Sequence, residues 1–183
     1  MLNYGIELGS PLSMLSSAMD NRFISRFKTL RKEISETTNQ RSKRYTIDIN
    51  SLKKAYQFCR HINFIQAFCL INASNKKYGW NISISKALNV WSNGSIIKSS
   101  QINDLYFNYS VENILSDKKI IKDLNEYKPD IINVILLSLR NDISIPCFAE
   151  ALNYFNSISS NSLSTKMIQA QRNFFGSHYI KIN

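Results

Sequence analysis

Tyr56, Cys59, Phe64, Phe68 and Ile71 recur at helical spacings within one run that Asn50 or Ser51 can cap and Gly79 can stop. Apolar residues cover much of this helix's circumference, so it cannot lie on a surface and belongs in the middle of a bundle. That one element already demands partners, and the rest of the chain supplies further helices. Ser10 followed by Pro11 reads as an N-cap and first-turn pair, and behind it Leu12, Leu15, Met19, Phe23, Phe27, Leu30 and Ile34 return every three or four residues as one long helix. Shorter helices are expected to end near Trp91, ahead of Gly94, then over "SSQINDLYFNY" and around "DKKIIKDL". Pro129 and Pro146 each read as a helix start, and Ser164 as the cap of a last helix that Gly176 ends. Alternation with period two is scarce. The expected fold is all-α, a multi-helix bundle with long core helices, forming one domain over residues 1–183 with no internal repeat.

The formal charge of +10 would suit an anionic partner, but Lys, Asn, Ile and Ser are spread along the whole chain. The one dense basic run, "NQRSKR" at 39–44, reads as a solvated linker between helices, with no aromatics interleaved on a basic face. Nucleic acid is therefore not expected as a partner. The longest apolar run, "IINVILLSL", is too short to cross a bilayer, and "MLNYGIELGS" lacks the basic start and long apolar stretch of a signal peptide. A cytoplasmic protein without a membrane partner is expected. Cys59, Cys69 and Cys147 form no CxxC pair and have no neighbouring His pattern suited to zinc, so they read as reduced, buried thiols and no metal is expected. The five glycines never approach G-x-G-x-x-G, which leaves no dinucleotide cradle.

Two constellations can carry chemistry. Arg22 and Arg26 fall on or beside the apolar stripe of the first helix, where a guanidinium either snorkels over the core edge or meets an anion. Periodicity does not choose between the two arginines. Arg172 shares a helical face with Ile168 and Phe175, and His178 stands just past Gly176. Such a pair serves either as a C-cap device at the negative end of a helix dipole or as an anion clamp. His61, in the middle of a helix beside Cys59, reads as a core or surface residue rather than a ligand.

The closing stretch "IPCFAEALNYFNSISSNSLSTKMIQAQRNFFGSHY" resembles the last helices of the decarboxylating 6-phosphogluconate dehydrogenases, above all in the core I-Q-A-Q-R-x-[FY]-F-G-x-H. "LGSPLSMLSSAMDNRFISRFKTLR" and "YGWNISISKALNVWSNGSIIKS" are similar to two further stretches of that family, in the same order. The likeness covers nearly the whole chain but only the C-terminal, all-helical part of the family's protein. It implies an NADP-dependent oxidative decarboxylation of 6-phosphogluconate to ribulose 5-phosphate by a homodimer. It selects Arg22 over Arg26 as a substrate-phosphate ligand and makes Arg172 and His178 substrate ligands that reach the neighbouring subunit's active site. The family's Rossmann domain, which would hold the NADP, its Lys and Glu proton-transfer groups and its KGTGKWT stretch all precede the point that Met1 matches. No catalytic residue is therefore expected in this chain, which should be inactive alone. Asp20 and Asn21 stand where the family has Phe and Ala, and Ser92, Asn93, Ser95 and Lys98 depart from its R-x-G-C-I-I-R pattern. Such departures leave an alternative, a catalytically inactive remnant that serves only as a helical dimerisation or interaction module.

Overall fold

A computed structural model describes residues 1–38, 46–95 and 114–176. Eight α-helices and one short 3-10 turn are present among them, with no strand. They are α1 (Leu2–Glu7), α2 (Ser13–Ile24), α3 (Lys28–Thr37), α4 (Ile49–Tyr78), α5 (Ile84–Ser92), α6 (Lys118–Arg140), α7 (Pro146–Ile158) and α8 (Thr165–Gly176). The all-α expectation holds. No helix among the described residues is long and apolar enough to cross a membrane. The linker "NQRSKR" and the helix expected over "SSQINDLYFNY" lie outside the described residues.

Helix α4 occupies the middle of the bundle, as its apolar circumference requires. Phe58, Ile62, Ile65 and Phe68 are completely buried along it. Helix α6 packs down its length, α7 crosses both, and α2 lies on α7. Phe58 meets Phe155 of α7 edge-on at 5.5 Å between centroids, and Trp91 of α5 stacks on Phe68 at 6.0 Å. Gly79 stops α4 as expected: it takes a left-handed φ of 67°, and its N–H donates to Asn75 O at 2.9 Å. The N-cap is Asp48 rather than Asn50 or Ser51, because the Asp48 carboxylate accepts the Ser51 N–H at 2.9 Å.

Three other expectations are corrected. Ser10 does not cap the helix that follows it. Its N–H donates back to Gly5 O at 2.8 Å while Gly9 N–H donates to Ile6 O at 3.2 Å, the paired bonds that close a helix through a left-handed glycine, here Gly9 at φ 63°. Ser10 thus ends α1, Pro11 follows that stop, and α2 begins at Ser13 with Leu12 in the cap position. The long first helix is in fact two. The Ser25 hydroxyl donates to Arg22 O at 2.6 Å, and the next two amides tighten to i→i−3 bonds, Arg26 to Phe23 and Phe27 to Ile24 at 3.1 Å each. A serine bonded to its own backbone in this way competes with the helix and breaks it between α2 and α3. Pro129, in turn, lies inside α6 rather than at its start. Asp117 caps the helix eleven residues earlier than the expected start by accepting the Lys119 and Ile120 N–H groups at 2.7 and 3.0 Å. Burial of Ile120, Leu124, Ile131 and Val134 against the core then offsets the roughly 3 kcal/mol that an interior proline costs.

His61 is a core residue, 4% exposed, stacked on Tyr127 of α6 at 6.3 Å. Burial lowers its pKa from the ordinary 6.5, with Asp123 opposing and Arg60 assisting. Between pH 6.5 and the lowered value, the unfolded chain binds more protons than the folded one. Stability is therefore expected to be level above that window and to fall as pH drops through it. Urea midpoints measured from pH 7 downward check this, and His61→Phe should flatten the decline.

Candidate substrate-binding face

Arg22 stands in the last turn of α2, exposed, and among the described residues no ion pair involves it. Arg26, one turn on, is engaged otherwise: its guanidinium lies over the Phe23 ring at 5.3 Å from the centroid. The two arginines that spacing could not separate therefore differ in surroundings. Asp20 beside them is exposed, and the Asn21 side-chain amide donates to Ser17 O at 2.9 Å, so these two polar departures from the family pattern do not enter the core.

Helix α2 is fixed at its other end by a residue the sequence did not single out. Gln66 of α4 is 2% exposed; its Oε1 accepts the Met14 N–H at 3.3 Å and its Nε2 donates to Ser13 Oγ at 3.0 Å. Leu12, in the cap position, offers no side-chain acceptor, so a glutamine from another helix satisfies one orphan amide of the α2 N-terminus. Removing it strands a buried donor. Gln66→Leu is expected to cost about 1–3 kcal/mol, read as a fall in the urea midpoint at constant slope.

Helix α8 begins just after Ser164, as expected, and carries Arg172 in an exposed position. No residue of α8 is buried, and it contributes nothing to the hydrophobic core. Phe174 and Phe175 are 84% and 77% exposed and pack edge-on against each other at 5.3 Å. Met167 and Ile168 are exposed on the same helix. Helix α3 likewise buries nothing and shows Leu30 and Ile34 to solvent, continuing from Phe27. Among the described residues no substantial packing joins α2 and α8. His178 and Tyr179 lie outside the described residues. The three cysteines are free thiols, Cys59 buried and Cys69 and Cys147 only half-buried, and no group of three possible metal ligands occurs among the described residues.

Exposed arginines thus stand on two helices of the bundle, α2 and α8, and α8 places no residue in the core. A family model described as "6-phosphogluconate dehydrogenase, C-terminal domain" matches residues 1–183. The chain is 27% identical over 181 residues to "6-phosphogluconate dehydrogenase, decarboxylating" of Lactococcus lactis subsp. lactis, a match that covers 94% of this chain and 38% of that protein. The protein of the same description from Staphylococcus epidermidis is 28% identical, with 94% and 39% covered. Among solved structures, Plasmodium falciparum 6-phosphogluconate dehydrogenase, determined apo, with its cofactor NADP+ and with its substrate 6-phosphogluconate, superposes with a TM-score of 0.88 at 26% identity. That superposition covers 100% of this chain and 41% of the neighbour. The chain belongs to the 6-phosphogluconate dehydrogenase family, through that family's C-terminal domain. It spans about two fifths of the length of the relatives it matches.

Proposed function

We propose that this chain supplies the substrate-phosphate contacts and the dimer interface of an NADP-dependent oxidative decarboxylase that converts 6-phosphogluconate to ribulose 5-phosphate. The observation that carries the reading is Arg22. It is a solvent-facing guanidinium with no described carboxylate partner, at the end of a helix anchored by Gln66 and α7, and the resemblance of "LGSPLSMLSSAMDNRFISRFKTLR" to the family selects it as the phosphate ligand. A planar fork of donors suits a phosphate dianion, and Arg172 and His178 complete the anion set. Two guanidinium groups neutralise the phosphate at one end of the sugar. Binding energy gained there orients the reacting carbons at the other end, where other parts of the enzyme move hydride and protons.

NADP does not fit on the described residues. Gly9 and Gly79 close α1 and α4, Gly94 lies just past α5, and with no strand among the described residues none of them forms a strand-to-helix phosphate cradle there. No step of the reaction is therefore assigned to this chain beyond binding. The 183-residue polypeptide alone is expected to reduce no NADP with 6-phosphogluconate, in an assay where the Lactococcus lactis enzyme runs as the positive control. Joined to the portion of that relative which it does not match, it should complete an active enzyme. If the joined protein folds and dimerises but stays inactive with substrate in excess, the chain is instead an assembly module alone. The exposed Phe174 and Phe175 suit that second reading equally well.

A further inference from the structure

Beneath α2 lies an open cavity of about 290 Å³, lined by Met14, Leu15 and Ala18 of α2, by Tyr56, Cys59, Arg60 and Asn63 of α4, and by Cys147 and Phe148 of α7. Two of the chain's three cysteines thus face one space from two different helices. Those helices are already in direct contact, with Phe58, the neighbour of Cys59, against Phe155. Cys147 Sγ lies 3.9 Å from Met14 O, close under α2. We propose that Cys59 and Cys147 are a redox pair, which exchange with a small anionic disulfide such as oxidised glutathione closes into a bond between α4 and α7. The proposal is independent of the phosphate-site reading.

Access sets the order of events. Cys147 is half-buried at the start of α7, whereas Cys59 is 5% exposed. The Cys147 thiolate attacks one sulfur of the incoming disulfide, forms a mixed disulfide and expels one thiol. Arg60, on the wall of the same cavity, offers a cation to the reagent's carboxylates. Cys59, as thiolate, then attacks Cys147 Sγ and expels the second thiol. Two protein thiols have been oxidised, one disulfide has been reduced to two thiols, and the two thiol protons have passed to solvent or to the leaving thiolates. Burial, with the neighbouring Cys147 adding to it, pushes the Cys59 thiol up to about 12, so the second step is the slow one near neutral pH. Cys69 is an internal control. It sits farther along α4, outside this cavity, hydrogen-bonded to Tyr154.

The folded chain is incubated with oxidised glutathione at pH 8, quenched in acid, counted for free thiols and mapped by mass spectrometry without reduction. The expected result is the loss of two of the three thiols and a cross-linked peptide pair containing Cys59 and Cys147. Closure of the pre-formed mixed disulfide should speed up about tenfold per pH unit between roughly pH 7 and 9, because its rate follows the Cys59 thiolate fraction. Cys59→Ser should arrest the reaction as a glutathione adduct on Cys147; should that variant not fold, the map of the unsubstituted chain decides alone. A lasting adduct on Cys147 in the unsubstituted chain, a bond involving Cys69 or no reaction would each overturn the proposal.

Discussion

Arg22→Ala, in the enzyme completed by its relative's remaining portion, raises KM for 6-phosphogluconate about tenfold to a hundredfold and leaves kcat within a few-fold. The size follows from a charge-assisted hydrogen bond to phosphate, worth on the order of 1.5–3 kcal/mol, with each 1.4 kcal/mol giving about a factor of ten. The split between KM and kcat follows from distance: a contact with the phosphate is made equally in ground and transition states, so its loss shows mainly as weaker binding. Arg22 is exposed, so the substitution should leave the thermal midpoint in place. Arg26→Ala is the matched control, since it removes a cation of the same helix region that already lies over Phe23. Equal KM values for Arg22→Ala and the parent would make Arg22 a surface residue of α2 and nothing more.

Much of the bundle was legible because its signals are local. Gly79 stops α4 with its own backbone, and Pro146 opens α7 with a fixed φ and no missing bond. Where the reading failed, the deciding bonds ran to residues that a local signal does not name. Ser10 followed by proline looks like a cap, but its N–H is spent on Gly5, five residues back, and so it closes the helix behind it. Pro129 looks like a start until Asp117 is seen to have capped the same helix already. The break at Ser25 is silent in the apolar spacing, because the stripe through Phe23, Phe27 and Leu30 keeps its period across it. Gln66 was invisible for a different reason: its contacts are to residues 52 and 53 positions away, and a lone glutamine within "FIQAF" carries no hint of them. The same limit applied to the site. Spacing left Arg22 and Arg26 equivalent, and only the Phe23 ring under Arg26 separates their surroundings.

The exposed face of α8 carries the last expected result. A helix that buries none of its residues while showing Met167, Ile168, Phe174 and Phe175 to water gains too little from its own chain to hold its position. A second copy related by a two-fold axis would cover that face, and it would carry each Arg172 to the phosphate bound by the other subunit's Arg22. Co-expression of an Arg22→Ala subunit with an Arg172→Ala subunit tests the arrangement directly. If the two arginines act across subunits, a mixed dimer contains one site with both arginines and one with neither. Random pairing makes about half of the dimers mixed, so about a quarter of all sites, and of the parental activity at low substrate, should return, while each variant alone stays weak. If both arginines serve a site within one chain, every site lacks one of them whatever the pairing, and co-expression restores nothing. Size-exclusion chromatography with light scattering on the same samples confirms that the variants still pair, so that a null result speaks against the cross-subunit site rather than against dimerisation.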